Sequence, residues 1–192
     1  TLMKKRLQDA FGEDAQYKVQ GEPTSLPDAA ALAESDPYQF QWWALGLVGA
    51  RPEEQKKGAD KGIDGKIVFR VEKKQGQYEF DEVVLSVKAG HVTVSQVRDL
   101  RGVVDRQKAA IGVLISMEKP TKPMEIEAAT AGFYESVTWN KKYPKLQLLT
   151  IEELLAGKKI DMPPIRQVQA TFKKAERFKE EKGEQLELKE KT

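Results

Sequence analysis

The sequence predicts an α/β fold in which a mixed central sheet is flanked by helices. Three observations predict it: stretches with the two-residue alternation of strands, an unbroken apolar run over 111–115, and amphipathic stretches with helical spacing. The 192 residues are 40% hydrophobic and 32% charged, which suits one globular domain with short extensions. We divide the chain into an N-terminal helical and loop extension (1–34), a folded domain (35–165) and a charged tail (166–192).

The first strong helix signal begins at Asp36, an N-cap residue followed by proline at the first helical position. Five apolar side chains then recur on one helical face: Phe40, Trp43, Ala44, Leu47 and Val48. Gly49 ends this helix. Weaker helical stretches precede it over 2–11 and 28–34, and a polar, basic loop over 51–61 follows it.

Two strands are predicted after the basic loop, joined by a polar turn over 73–77. The first begins at Lys66, and the second spans 82–88. In the second strand, Ser86 and Lys88 are two residues apart, so their side chains lie on the same face of the sheet.

The rest of the domain is predicted to add helices and buried strands in alternation. Thr93 and Gln96 form a capping box that opens a helix, and the apolar run over 111–115 is typical of a strand covered on both faces. Three further elements complete the domain: an alanine-rich helix over 124–134, a strand over 146–149 and a short helix from Thr150 to Gly157. The predicted order is therefore α-β-β-α-β-α-β-α.

Composition excludes several classes of function. The chain has no cysteine and a single histidine, so disulfides, thiolate nucleophiles and multi-histidine metal sites are excluded. We expect a cytoplasmic protein, since no apolar run approaches the roughly 18–20 residues of a membrane span. With a formal net charge of +2, any binding of nucleic acid would depend on local basic patches.

Three polar residues are predicted to meet at one point of the sheet. Asp64 lies in a glycine-flanked turn at the start of the first strand, and a hairpin would bring it beside Ser86 and Lys88. A carboxylate that holds a divalent cation, with an ammonium aimed at the same point, supplies what phosphodiester hydrolysis needs. The alternative is that Asp64 shapes a turn and that Lys88 is a solvated charge at a strand end.

The segments around these residues carry a family resemblance. They read Gly-Ala-Asp-Lys-Gly-Ile-Asp-Gly over 58–65, Leu-Ser-Val-Lys over 85–88 and Gly-Val-Leu-Ile-Ser over 112–116. They resemble the core of Mrr-type restriction endonucleases, in the PD-(D/E)xK nuclease superfamily with its αβββαβ core. The segments 38–44 and 88–94 resemble, more specifically, an Mrr-like C-terminal segment of bacterial site-specific DNA methyltransferases.

The resemblance implies a restriction-endonuclease-like fold over 35–165 and a role for each site residue. Asp64 would bind Mg²⁺ or Mn²⁺, with the backbone carbonyl of Val87 as a further ligand, and Lys88 would be the catalytic lysine. Gln41 on the first helix would reach toward the metal. Ser86 departs from the family, because it stands where a second acidic or amide residue is usual and a neutral hydroxyl is a poor Mg²⁺ ligand.

Cationic side chains near this site are candidate contacts to DNA phosphates: Lys61, Lys66, His91, Arg98 and Arg101. Each could equally be part of a solvated face, and His91 could be a turn residue bonded to backbone. The resemblance implies double-stranded DNA as the substrate, a DNA methyltransferase in the same chain or in a partner, and a homodimer that cuts both strands.

The predicted function is a Mg²⁺-dependent DNA endonuclease of a restriction-modification type system. The alternative is a catalytically degenerate nuclease fold that binds or senses DNA for an attached methyltransferase, which the serine at position 86 favours. A third hypothesis is a structural module that uses the nuclease fold as a scaffold for protein assembly.

Overall fold

The structure is a computed structural model that describes residues 2–12, 21–53, 62–72 and 78–164. Helix α1 (Leu2–Phe11), predicted from the sequence, belongs to one compact unit, and the described residues from 21 onward belong to another. Lys61 and the predicted charged tail lie outside the described residues. Within the described part, no helix is both long and apolar enough to span a bilayer.

A five-stranded mixed sheet forms the centre of the larger unit. The strands of the described residues are β1 (Arg51–Pro52), β2 (Gly65–Glu72), β3 (Tyr78–Lys88), β4 (Ile111–Ser116), β5 (Phe133–Ser136), β6 (Lys141–Pro144) and β7 (Leu146–Thr150). The sheet order is β1-β2-β3-β4-β7; β1, β2 and β3 are antiparallel neighbours, whereas β4 and β7 run parallel to β3. The predicted mixed α/β fold is therefore confirmed.

In the described residues, five helices accompany this sheet, and three of these helices begin at capping signals of the sequence. They are α2 (Leu26–Ser35), α3 (Pro37–Leu47), α4 (Val94–Gln107), α5 (Lys122–Thr130) and α6 (Ile151–Leu155). The Asp36 carboxylate accepts hydrogen bonds from the first amides of α3, at 3.1 and 3.0 Å. The Thr93 amide donates to Gln96 Oε1 at 2.9 Å, and the Glu153 amide donates to Thr150 Oγ1 at 3.1 Å.

The core has one layer on each face of the sheet. Leu85 and Val87 of β3 pack with α3 and α6, whereas Val84, on the opposite face, packs with α4 and α5. Trp43 is buried in the first layer, as its place on the apolar stripe predicts. Ala29 of α2 is fully buried in the same layer, so α2 packs with this layer, and the domain boundaries stay predictions.

Two strand segments differ from the sequence prediction because they depend on pairing. The predicted basic loop starts with β1, where Arg51 and Pro52 pair with Lys66 and Gly65 of β2. Strand β3 begins at Tyr78 instead of residue 82, because its first residues continue the ladder with β2. The αβββαβ order is completed by β1, which the element-by-element prediction missed.

The predicted helix over 124–134 is wrong at its C-terminal end. Helix α5 stops at Thr130, because Gly132 adopts a left-handed conformation (φ +76°) and its carbonyl accepts from the Lys145 amide at 2.9 Å. Tyr134 therefore lies in the β5–β6 hairpin, and its hydroxyl donates to Asp81 Oδ2 at 2.7 Å. Burial, together with this hydrogen bond, raises the pKa of the Tyr134 phenol.

Close approach of β4 to both α4 and β7 requires glycine at position 112. A Cβ there would lie 2.5 Å from Val104 Cγ2 and 2.7 Å from Leu146 Cδ2. We expect Gly112→Ala to lower the free energy of unfolding by about 1–3 kcal/mol, measured by urea denaturation. The matched control is Gly90→Ala, where a Cβ meets no atom within 4 Å; equal stability of the two variants would contradict this packing.

Candidate functional site

The site begins with Asp64, which immediately precedes β2 and is held against β3. Its amide donates to the Leu85 carbonyl at 2.8 Å. Its carboxylate oxygen Oδ2 accepts from the Val87 amide at 2.6 Å and from the Ser86 hydroxyl at 3.2 Å. The antiparallel β2–β3 pairing thus brings Asp64 and Ser86 together, as the hairpin in the sequence predicts.

These two hydrogen bonds engage one oxygen of the Asp64 carboxylate. Ser86 is 4% exposed, so its hydroxyl has little access to water, and the half-buried Asp64 carboxylate is its acceptor. Val87 contacts Asp64 through its amide, whereas the resemblance assigns its carbonyl to metal binding. The Asp64 carboxylate, the Ser86 hydroxyl and the Val87 amide therefore form a hydrogen-bonded group, here called the Asp64 group. It attaches the start of β2 to β3.

Lys88 lies at the end of β3 on the same face as Ser86, and its side chain is half-buried. It pairs in the ladder with Ser116 of β4, which is also buried. Within the described part of the chain, the Lys88 ammonium has no hydrogen bond or ion pair. A half-buried ammonium without a carboxylate partner is available to an incoming anion.

Gln41 is half-buried on α3 and is not hydrogen-bonded to Asp64. Helix α3 packs on the face of the sheet that carries Leu85 and Val87, whereas Ser86 points to the other face. The structure therefore gives no contact between Gln41 and the Asp64 group, and its reach toward a metal stays a prediction.

Two of the predicted DNA-contacting cations are paired with carboxylates of neighbouring elements. Lys66 Nζ lies 3.2 Å from Glu82 Oε2, and His91 Nδ1 lies 3.0 Å from Glu118 Oε2. The His91–Glu118 pair is well exposed, so it is open to solvent competition.

The two arginines of α4 share one carboxylate of α5. Arg98 Nε donates to Glu127 Oε2 at 2.9 Å, and Arg101 Nη1 lies 3.7 Å from Glu127 Oε1. Arg101 also donates to Thr130 Oγ1 at 3.1 Å. Sequence reasoning missed Glu127 because it is 29 residues from Arg98, and only the packing of α4 against α5 reveals the pairing.

The described residues supply few ligands for a divalent metal. Asp64 is the single carboxylate in the hydrogen-bonded group, and one of its oxygens already accepts two hydrogen bonds. Among the residues that the structure describes, no three histidine or acidic side chains cluster as metal ligands would. Mg²⁺ is usually held by one or two carboxylates together with waters and substrate phosphates, and a neutral hydroxyl such as that of Ser86 is a poor ligand for it. Binding of Mg²⁺ or Mn²⁺ stays a prediction from the sequence.

A solved restriction endonuclease shares this fold. The chain is similar to the DNA modification-dependent restriction endonuclease AspBHI, with a TM-score of 0.51, 15% identity, and coverage of 80% of this chain and 38% of AspBHI. The MspJI restriction endonuclease, in complex with a 27-mer oligonucleotide, has a TM-score of 0.49 and 16% identity to this chain. The match covers 79% of this chain and 32% of MspJI. The chain thus spans about a third of their length. No curated protein sequence matches it.

A family model described as NACHT-associated inactive Restriction Endonuclease 1 matches residues 37–156, from the start of α3 to the residue after α6. The match includes Asp64, Ser86 and Lys88 and covers more than half of the chain. The restriction-endonuclease-like domain predicted from the sequence is confirmed, whereas the Mrr type and the methyltransferase association stay predictions. The chain belongs to the NACHT-associated inactive restriction endonuclease 1 family.

Proposed function

We propose that this chain is a catalytically inactive restriction-endonuclease-like module that holds double-stranded DNA. The proposal rests mainly on the Asp64 group, in which Ser86 stands where the resemblance places a second metal-binding side chain. The word "inactive" in the family description supports the same conclusion. The degenerate module is therefore better supported than the Mg²⁺-dependent endonuclease that the sequence also predicts.

The chemistry of the site agrees with inactivity. Metal-assisted hydrolysis of a phosphodiester needs a cation that lowers the pKa of a bound water and neutralises charge in the transition state. The Asp64 group offers that cation one carboxylate, whose Oδ2 already accepts two hydrogen bonds, and a neutral hydroxyl, which is a poor ligand. Lys88 alone can attract a phosphate, but it cannot generate the attacking hydroxide.

Binding of DNA is supported by the fold and by the Lys88 ammonium, which has no partner among the residues that the structure describes. The chain shares its fold with AspBHI, a DNA modification-dependent restriction endonuclease. The other described candidate cations have carboxylate partners, which compete with phosphate. We therefore expect weak binding through few phosphate contacts, and affinity that falls with salt.

The family description also suggests a molecular context. Because members are described as NACHT-associated, we infer that the module acts beside a NACHT protein, in the same chain or in a partner. A DNA methyltransferase in that role, and a homodimer, stay predictions from the sequence.

Cleavage of plasmid DNA tests whether the site is inactive. With Mg²⁺ or Mn²⁺, the wild-type chain should leave methylated and unmethylated plasmid intact on agarose gels, because the Asp64 group does not complete a metal site. The Lys88→Ala variant should behave identically. Metal-dependent cleavage by the wild type that disappears in Lys88→Ala would restore the endonuclease function and refute this proposal.

Glu127 pairs with Arg98 and Arg101, two candidate contacts to DNA. Glu127→Gln removes the carboxylate that Arg98 and Arg101 share, so two guanidinium groups become available to phosphates. We expect duplex DNA affinity to rise about three- to tenfold at low salt, with a steeper salt dependence, by fluorescence anisotropy.

The control is Glu135→Gln, which changes the net charge equally but removes the partner of Lys142 on the β5–β6 hairpin. A larger gain for Glu127→Gln than for Glu135→Gln supports a DNA contact on α4. Equal gains would show only a net-charge effect and would exclude Arg98 and Arg101 from the interface.

A further inference from the structure

Backbone amides and carbonyls on the outer edge of β7 have no hydrogen-bond partner among the described residues. The Gly112 amide donates to the Lys145 carbonyl at 2.8 Å, which sets the hydrogen-bonding alternation of the parallel β4–β7 ladder. By that alternation, Leu146 and Leu148 direct their amides and carbonyls away from β4. In the part of the chain that the structure describes, these four groups have no hydrogen-bond partner.

A groove of about 870 Å³ lies beside this edge, between β7 and α5. Leu146 and Leu148 of β7 and Ala128 and Ala129 of α5 line its apolar part. The short alanine side chains leave the space that larger helix residues would fill. At one end of the groove, the ring of Phe133 is 63% exposed.

The charged lining of the groove is slightly acidic. Three glutamates and two lysines line it: Glu125, Glu152, Glu153, Lys119 and Lys158. The lysines are paired, with Lys119 3.2 Å from Glu152 and Lys158 2.7 Å from Glu153. Among the described residues, the Glu125 carboxylate has no hydrogen bond or ion pair. This lining repels phosphate and favours a cationic group, so duplex DNA is a poor occupant.

We propose that the groove between β7 and α5 binds an extended, apolar peptide segment of a partner protein, which adds a strand to β7 and places a lysine or arginine beside Glu125. Alternating amides and carbonyls on an edge strand match an extended polypeptide backbone. Apolar side chains at every second peptide position would face Leu146 and Leu148. This inference concerns a different surface from the DNA-holding site and does not depend on it.

A random heptapeptide phage library tests the proposal, because it samples extended segments of every composition. Panning on the wild-type chain should enrich peptides with apolar residues at alternate positions and one lysine or arginine. Leu148→Lys, which places a cation in the apolar floor, should not retain them. The matched control is Ile126→Lys, on an exposed side chain of α5 outside the groove, which should retain them fully. Failure to enrich any such peptide would overturn the proposal.

A synthetic copy of the enriched peptide then tests the binding mode on the wild-type fold. Methylation of its edge-facing backbone nitrogens should weaken binding at least tenfold in fluorescence anisotropy, because the added strand loses its donors. Glu125→Gln should weaken binding about two- to fivefold. Unchanged affinity on N-methylation, or displacement of the peptide by duplex DNA, would refute strand addition by a peptide.

A second copy of the chain is the competing occupant. Sedimentation should show a wild-type monomer that binds the peptide. A wild-type dimer that Leu148→Lys dissociates, and that the peptide disrupts, would assign the groove to self-association and overturn the proposal.

Discussion

The hydrogen bonds between the Asp64 carboxylate and β3 determine what the site of this domain can do. They depend on the β2–β3 register, which sets Gly65 opposite Leu85 and so places Asp64 beside Ser86 and Val87. The Val87 residue is buried, so its amide needs an acceptor within the protein. Asp64 provides one, so its carboxylate attaches the start of β2 to β3. The same residue that a nuclease would use for catalysis here has a structural role.

The central sheet carries two surfaces of different chemistry. At the end of β3, the Lys88 ammonium has no partner among the described residues and can meet a phosphate, while the described candidate cations are paired with Glu82, Glu118 and Glu127. At the β7 edge, the groove is apolar and slightly acidic, which suits a peptide. Because different strands build the two surfaces, DNA and a protein partner can be held by one domain without competing for the same residues.

Local signals predicted the helices well, whereas features set by pairing could not be predicted from the sequence. The caps at Asp36 and Thr150 act within one helical turn, so the residues that form them are adjacent in sequence. Strand β1 exists only through its pairing with β2, and the β5–β6 hairpin follows the stop at Gly132. In the candidate site, the hairpin predicted between two adjacent strands was enough to place Ser86 beside Asp64. The carboxylates that neutralise the cations come from distant segments, so no local pattern indicates them.

Urea unfolding of the wild type and of Asp64→Ala, with and without millimolar Mn²⁺, tests the structural role of Asp64 most directly. Loss of the carboxylate leaves the Val87 amide without its acceptor, so we expect a lower free energy of unfolding, by about 1–3 kcal/mol. We also expect Mn²⁺ to leave wild-type stability unchanged, because no metal site is completed. An Asp64→Ala variant as stable as the wild type, together with Mn²⁺-dependent stabilisation of the wild type alone, would contradict this structural role and identify Asp64 as a metal ligand.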